Sequence, residues 1–157
     1  KTNHPESHVF TFEKKMRLSI KNCVNELTEY IISSVAKVNH KPLFIIAGGE
    51  IPVKAIDNNK GGRNQHFSIA MANNLSLINR DWAFFSIASD GCDYIKGIAG
   101  GFISKQLIDY LKTKNEKIKS YIDNTASFKF HENYGTHLTC EEGTGINVSD
   151  IYVFVVI

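Results

Sequence analysis

A chain of 157 residues with 18 basic and 16 acidic side chains, a formal net charge of +2 and 43% hydrophobic residues fits one globular domain with its own core. So balanced a charge offers no field to recruit nucleic acid or an anionic membrane surface. No apolar run approaches the ~18 residues of a membrane span, and the polar start lacks the apolar centre of a signal peptide, so a cytoplasmic protein with small-molecule or protein partners is expected.

The chain starts at Lys1 rather than Met, as either a trimmed chain or a piece of a longer protein would. Residues 1 to about 11 carry Pro and His without periodicity and read as an extended arm. From Ile20, the positions Cys23, Val24, Leu27, Tyr30, Ile31, Val35 and Val38 form a stripe of helical period, which predicts one long amphipathic helix ending near Asn39. Leu43 to Ala47 is a short, continuously apolar run, the pattern of a strand buried on both faces. After Gly48-Gly49-Glu50, Ile51 to Ile56 reads as a second strand at an edge or bulge, because Pro52 cannot donate to a ladder.

Asn59-Lys60-Gly61-Gly62-Arg63-Asn64-Gln65-His66 then combines a glycine turn with two cations and two carboxamides. Phe67, Ala70, Met71, Asn74, Leu75 and Ile78 follow at helical spacing, so the glycines sit just before a helix start. Unpaired N–H groups and the positive end of the macrodipole attract anions there. Arg63 adds a planar fork for an oxyanion and Lys60 a point charge. The alternative is a solvated strand-to-helix turn.

Trp82 to Ala88 is a third buried strand, running into Ser89-Asp90-Gly91-Cys92-Asp93. Loops at the carboxyl ends of strands are where α/β sheets gather ligands. Ala99-Gly100-Gly101 leads to a predicted helix on Phe102, Ile103, Leu107, Ile108 and Leu111, and Lys112 to Lys119 reads as a solvated helical face or a connection between helices. Phe128 and Phe130 predict a short strand or docked loop, Glu141 to Gly145 a turn, and Ile151 to Ile157 a last strand inside the sheet. The alternation implies a single α/β domain, a layered mixed or largely parallel sheet covered by helices. Cys23, Cys92 and Cys140 are odd in number and widely spaced, as buried free thiols rather than a disulfide or zinc framework, and the six histidines show no metal-ligand spacing.

Taken in order, Gly48-Gly49-Glu50, Lys60-Gly61-Gly62-Arg63-Asn64-Gln65, Ser89-Asp90-Gly91-x-Asp93 with Ala99-Gly100, and Thr144-Gly145-x-Asn147-Val148-x-Asp150 resemble the MOFRL domain over about residues 43 to 157. That domain is the C-terminal part of the ATP-dependent glycerate 2-kinases, whose members have often been labelled hydroxypyruvate reductases. The resemblance divides the chain into a lead-in of 1–42, arm plus helix, and a MOFRL-like domain of 43–157. It implies a cleft shared with a Rossmann-like N-terminal domain that has no counterpart here, with glycerate and ATP as ligands and Mg²⁺ as cofactor. It places the Arg matching Arg63 in the active site, with the glycine loop and the acidic loop nearby. His66 stands where the family pattern has Glu, and Glu141-Glu142 where it has Thr-Gly.

On this basis Arg63 and Lys60 are the candidate catalytic cations. Gly61, Gly62, Asn64, Gln65, Asp90, Gly91, Asp93, Thr144 and Asn147 are candidate substrate or nucleotide contacts. Arg63 suits either a phosphoryl group or the glycerate carboxylate. Asp90 and Asp93 either orient a metal's waters and substrate hydroxyls or, more blandly, Asp90 caps the next element and Asp93 is solvated. Thr144, Asn147 and Asp150 also serve turns, and Glu50 reads as an ion-pair or capping group. Two functions follow: part of a glycerate kinase that needs its other domain, or a non-catalytic MOFRL domain that binds an anion, nucleotide or protein. A hydroxypyruvate reductase is least favoured, since no Gly-x-Gly-x-x-Gly fingerprint follows a predicted strand.

Overall fold

The first strand lies where the sequence reading expects an arm. His8–Met16 (β1) pairs in parallel with Leu43–Gly49 (β2), with His8 opposite Leu43 and Phe12 opposite Ala47. Parallel neighbours need a crossover, and Ile20–Lys37 (α1) supplies it. The structure is a computed structural model that describes residues 6–53 and 60–157. Ser19 caps α1 by accepting the Asn22 N–H, and the stripe Cys23, Val24, Leu27 and Ile31 is buried as the periodicity predicts. The chain leaves the helix through Asn39 and His40, both at positive φ.

The remaining elements are Arg63–Ala70 (α2), Ala72–Leu75 (α3), Trp82–Ala88 (β3), Ile98–Ser104 (β4), Lys105–Thr113 (α4), Ile118–Asp123 (α5), Ser127–Tyr134 (α6), His137–Thr139 (β5) and Asp150–Val156 (β6). They complete a six-stranded sheet of order β1-β2-β6-β3-β4-β5. The fold is α/β with a mixed sheet: β1 and β2 are parallel, and every other pairing is antiparallel. The last strand inserts between β2 and β3, so Tyr152 lies between Ala47 and Ser86. The three expected strands thus share one sheet.

Their burial differs from the expectation of cover on both faces. Along β2, Leu43, Ile45 and Ala47 are buried, while Phe44 and Ile46 are 37% and 41% exposed. Strands β3 and β6 alternate in the same way, with Phe84 fully buried and Val153 half-buried. An apolar run reads alike whether its outer positions are sealed or half-open. On the inner face, Phe67 of α2 packs edge-on against Phe84 and Tyr152, with ring centroids 5.6 and 4.9 Å apart. Residues of all six helices join the inward strand residues in one core.

Four further expectations change. Phe102 and Ile103 belong to β4, and the helix begins only at Lys105 behind the Ser104 cap. Phe128 and Phe130 lie in α6, neither strand nor loop. Ile51 to Val53 are not in a strand, and the rest of that expected strand, 54–56, lies outside the described residues, as does Asn59. Of the thiols only Cys23 is buried, Cys140 being half-buried and Cys92 exposed. Among the described residues, no helix is long and apolar enough to cross a membrane.

Candidate active site

Helix α2 begins at an N-cap, Gly62, that has no side chain to cap with. The orphan N–H groups are satisfied instead by a carboxylate from a distant loop. Asp93 Oδ1 accepts the Asn64 N–H at 3.0 Å and Oδ2 accepts the Gln65 N–H at 2.9 Å. The two carboxamides reinforce this: Asn64 Nδ2 donates to Oδ1 at 3.3 Å, and Gln65 Nε2 donates to Oδ2 at 3.1 Å and to the Asp93 carbonyl at 3.2 Å. Ser86 Oγ on β3 holds Asn64 by donating to its Oδ1 at 2.7 Å. Asp93 is therefore buried, where the bland reading leaves it in solvent. Burial pushes its carboxyl above the usual range, and the donors from Asn64 and Gln65 oppose that push. Gly62 is required by proximity, since a Cβ there would lie 2.1 Å from Asp93 Cγ. Gly61, at φ 147°, would put a Cβ 2.0 Å from Ser127 Oγ.

Arg63 opens the helix and turns the other way. Its Nε and one terminal nitrogen donate to Asp150 at 2.6 and 3.1 Å, and its other terminal nitrogen donates to Glu50 Oε1 at 3.0 Å. The hydrogen bond to Asp150 is the main cause that raises the guanidinium's pKa further above its ordinary value. Glu50 is thus the ion-pair group expected. Asp150, by contrast, bonds a side chain 87 residues away rather than local N–H groups.

Beside this network lies an open cavity of about 980 Å³. Gly61, Gly62, Arg63, Asp90, Asp93 and Asn147 line it. The other expected contacts stand behind or beside the wall. Asn64 and Gln65 are buried holding Asp93, and Lys60 is exposed outside the lining. Gly91, at φ 83°, lies against Cys140 and lines a smaller neighbouring pocket. Thr144 ties two loops together, its N–H donating to the Asp90 carbonyl at 3.1 Å and its hydroxyl to the Ser89 carbonyl. Asp90 Oδ1 accepts the Cys92 N–H at 3.0 Å, closing a local turn, and Asn147 Nδ2 lies 3.5 Å from its Oδ2.

Sequence reasoning missed Arg17, His66, Tyr94 and Ser127, all of which line the cavity. Tyr94 is 81% exposed at positive φ, a conformation rare for an aromatic residue. The signal available for His66 was its place in the helix's first turns.

The MOFRL family profile matches residues 43–150. The glycerate kinase of Rattus norvegicus is 32% identical over 132 residues, which are 81% of this chain and 25% of that protein. The D-glycerate 2-kinase of Thermotoga maritima is 31% identical over 117 residues, 74% of this chain and 28% of that one. The chain therefore spans about a quarter of the length of these relatives. A crystal structure of glycerate kinase from Thermotoga maritima superposes with a TM-score of 0.78 at 24% identity, covering 96% of this chain and 36% of that one, which shows a shared fold. A profile match across most of the chain, on the same motifs that build the cavity wall, makes this chain a member of the MOFRL family.

Proposed function

We propose that the chain is the C-terminal part of a glycerate 2-kinase, which transfers the γ-phosphoryl group of ATP to glycerate at a cleft shared with an N-terminal Rossmann-like domain. The observation that carries this reading is the posture of Arg63. A guanidinium has five N–H donors, and Asp150 and Glu50 take three of them. The remaining two, on a side chain lining the cavity, have no partner among the described residues and can meet substrate oxygens. Holding such a group by its own carboxylates keeps it in position before the ligand arrives.

The charge around the cavity supports a shared cleft. Arg17 and Arg63 face Glu50, Asp90 and Asp93 in the lining, and buried Asp150 already holds Arg63. Such a wall does not by itself attract a triphosphate. In this reading the facing domain and the metal supply the missing positive charge.

Mg²⁺ fits within limits. Among the described residues no group of three or more His, Cys, Asp or Glu is placed to hold a metal alone. Magnesium carried by a nucleotide needs only one or two protein carboxylates, and half-buried Asp90 can serve as one. When bound, it would neutralise phosphate oxygens during transfer. Lys60 approaches as a mobile point charge, Gly61 and Gly62 admit a ligand close to the backbone, and Asn64 and Gln65 act by fixing Asp93. Gly91, Thr144 and Asn147 set the Asp90 loop. A cytoplasmic setting belongs to the same reading.

One observation favours the second reading, a non-catalytic domain: Asp93 satisfies the helix start, and Asp150 and Glu50 hold Arg63 in place, so the fold needs no ligand to set either. The two readings separate in a coupled ADP-release assay. The purified chain is mixed with Mg²⁺-ATP and D-glycerate, with and without the N-terminal part of a glycerate kinase. Turnover that needs both parts supports the kinase; no turnover in either mixture supports the non-catalytic domain.

A further inference from the structure

Among the described residues, the fold leaves one ring nitrogen of His66 without a hydrogen-bond partner. His66 lies in α2, is 5% exposed and lines the cavity beside Arg63. Its Nδ1 is sealed from solvent with no hydrogen-bond partner among the described residues. A sealed N–H without an acceptor is costlier than a bare lone pair, so the ring proton belongs on Nε2, which is not sealed in this way. Burial lowers the imidazole's pKa, and the positive end of the helix macrodipole acts in the same direction. The ring therefore enters the cavity as a neutral donor.

We propose that His66 is a substrate-contacting residue that donates its Nε2–H to a carboxylate oxygen of the small hydroxy acid held in the cavity, beside the free N–H groups of Arg63. That the acid is glycerate rests on the function proposed above; the donor role does not. A fixed N–H accepts nothing, so it selects an acceptor oxygen and rejects an ammonium at the same point. Being neutral, it is not drawn into an ion pair by Glu50, Asp90 or Asp93, as another cation in this lining would be. The contact thus adds recognition of a carboxylate without another fixed charge.

The test uses the whole chain labelled with ¹⁵N, and D-glycerate, acetate and glycerol as probes. Two-bond ¹H–¹⁵N spectra at pH 7 are expected to show His66 protonated on Nε2 and bare on Nδ1. D-glycerate and acetate shift the Nε2 signal, and glycerol at the same concentration does not. His66→Phe weakens D-glycerate binding at least tenfold, read from the Gly61 and Gly62 amides, whereas His66→Gln, which keeps a donor, stays within about threefold. A proton on Nδ1 overturns the proposal, as does D-glycerate moving the Gly61 and Gly62 signals while His66 stays still; either leaves the glycerate reading standing. A response to acetate but not to D-glycerate upholds the donor role and counts against glycerate. No response of Nε2 to either carboxylate overturns the proposal, and this measurement does not depend on a variant folding.

Discussion

Asp150 and Arg63 are 87 residues apart and are joined by two hydrogen bonds of 2.6 and 3.1 Å. The Asp150 side chain is 1% exposed and that of Arg63 38%. This asymmetry decides what each substitution costs. Arg63→Ala strands a buried carboxylate and is expected to lose about 3 kcal/mol. Asp150→Ala releases a guanidinium that can turn to water and is expected to lose about half as much, ~1.5 kcal/mol. Urea denaturation of both variants measures the order, and equal losses would count against the geometry.

Gly62 meets Asp93 as closely as a residue without a side chain can. Gly62→Ala forces its Cβ against the Asp93 carboxylate and carbonyl, 2.1 and 2.3 Å away, and is expected to destabilise the fold by about 3 kcal/mol. The damage should concentrate at the start of α2. Hydrogen exchange at the Asn64 and Gln65 amides should accelerate more than at Leu27 or Phe154, and uniform acceleration would mean that the cap is not the affected point.

His131 gives the fold an acid limit. It is fully buried in α6 and hydrogen-bonded through Nδ1 to Thr136 Oγ1 at 2.7 Å. Its Nε2 lies 3.0 Å from both the Ser68 hydroxyl and the Gln65 carbonyl. Burial lowers its pKa to about 4 from 6.5, and nearby His137 pushes the same way. The folded state binds this proton less readily than the unfolded chain, so the contribution is complete above 6.5 and is lost as pH falls through about 4. A shift of that size is worth about 3 kcal/mol. Denaturant midpoints from pH 7.5 to 4.5 should fall for the native chain and fall less for His131→Asn; parallel curves would assign the acid sensitivity elsewhere.

The three thiols should react in order of exposure. Cys92 is labelled first, Cys140 more slowly, and buried Cys23, whose pKa burial raises, only when the chain unfolds. Mass spectrometry after timed alkylation checks this, and early modification of Cys23 would contradict the packing of α1.

How much was legible depends on whether a signal is local. The stripe of α1 and the apolar runs of β2, β3 and β6 carry their structure in consecutive residues. β1 does not: its Val9 and Thr11 face solvent and Glu13, Lys14 and Lys15 follow, so an edge strand resembles an arm. β4 was obscured by Gly100 and Gly101, whose missing side chains admit the Ser86 carbonyl and the His131 ring. In the site, Arg63 stood out by its glycines. No spacing rule links it to Asp150, or Asp93 to Asn64 and Gln65, because those groups meet only through the pairing of β6 beside β3 and the packing of α2 on β3 and β4.

Glycerate phosphorylation in the two-part mixture should depend on Arg63. With the chain, a glycerate kinase N-terminal part, Mg²⁺-ATP and D-glycerate, Arg63→Ala should lower kcat/KM by roughly 100-fold or more, about 3 kcal/mol of transition-state stabilisation. Arg63→Lys should recover only part of it, since a point charge cannot keep the fork held by Asp150 and Glu50. Circular dichroism must show both variants folded at the assay temperature. No turnover is expected from the chain alone, and Arg63-dependent turnover is expected in the mixture. Turnover by the isolated chain, or a mixture indifferent to Arg63→Ala, would contradict the shared-cleft kinase.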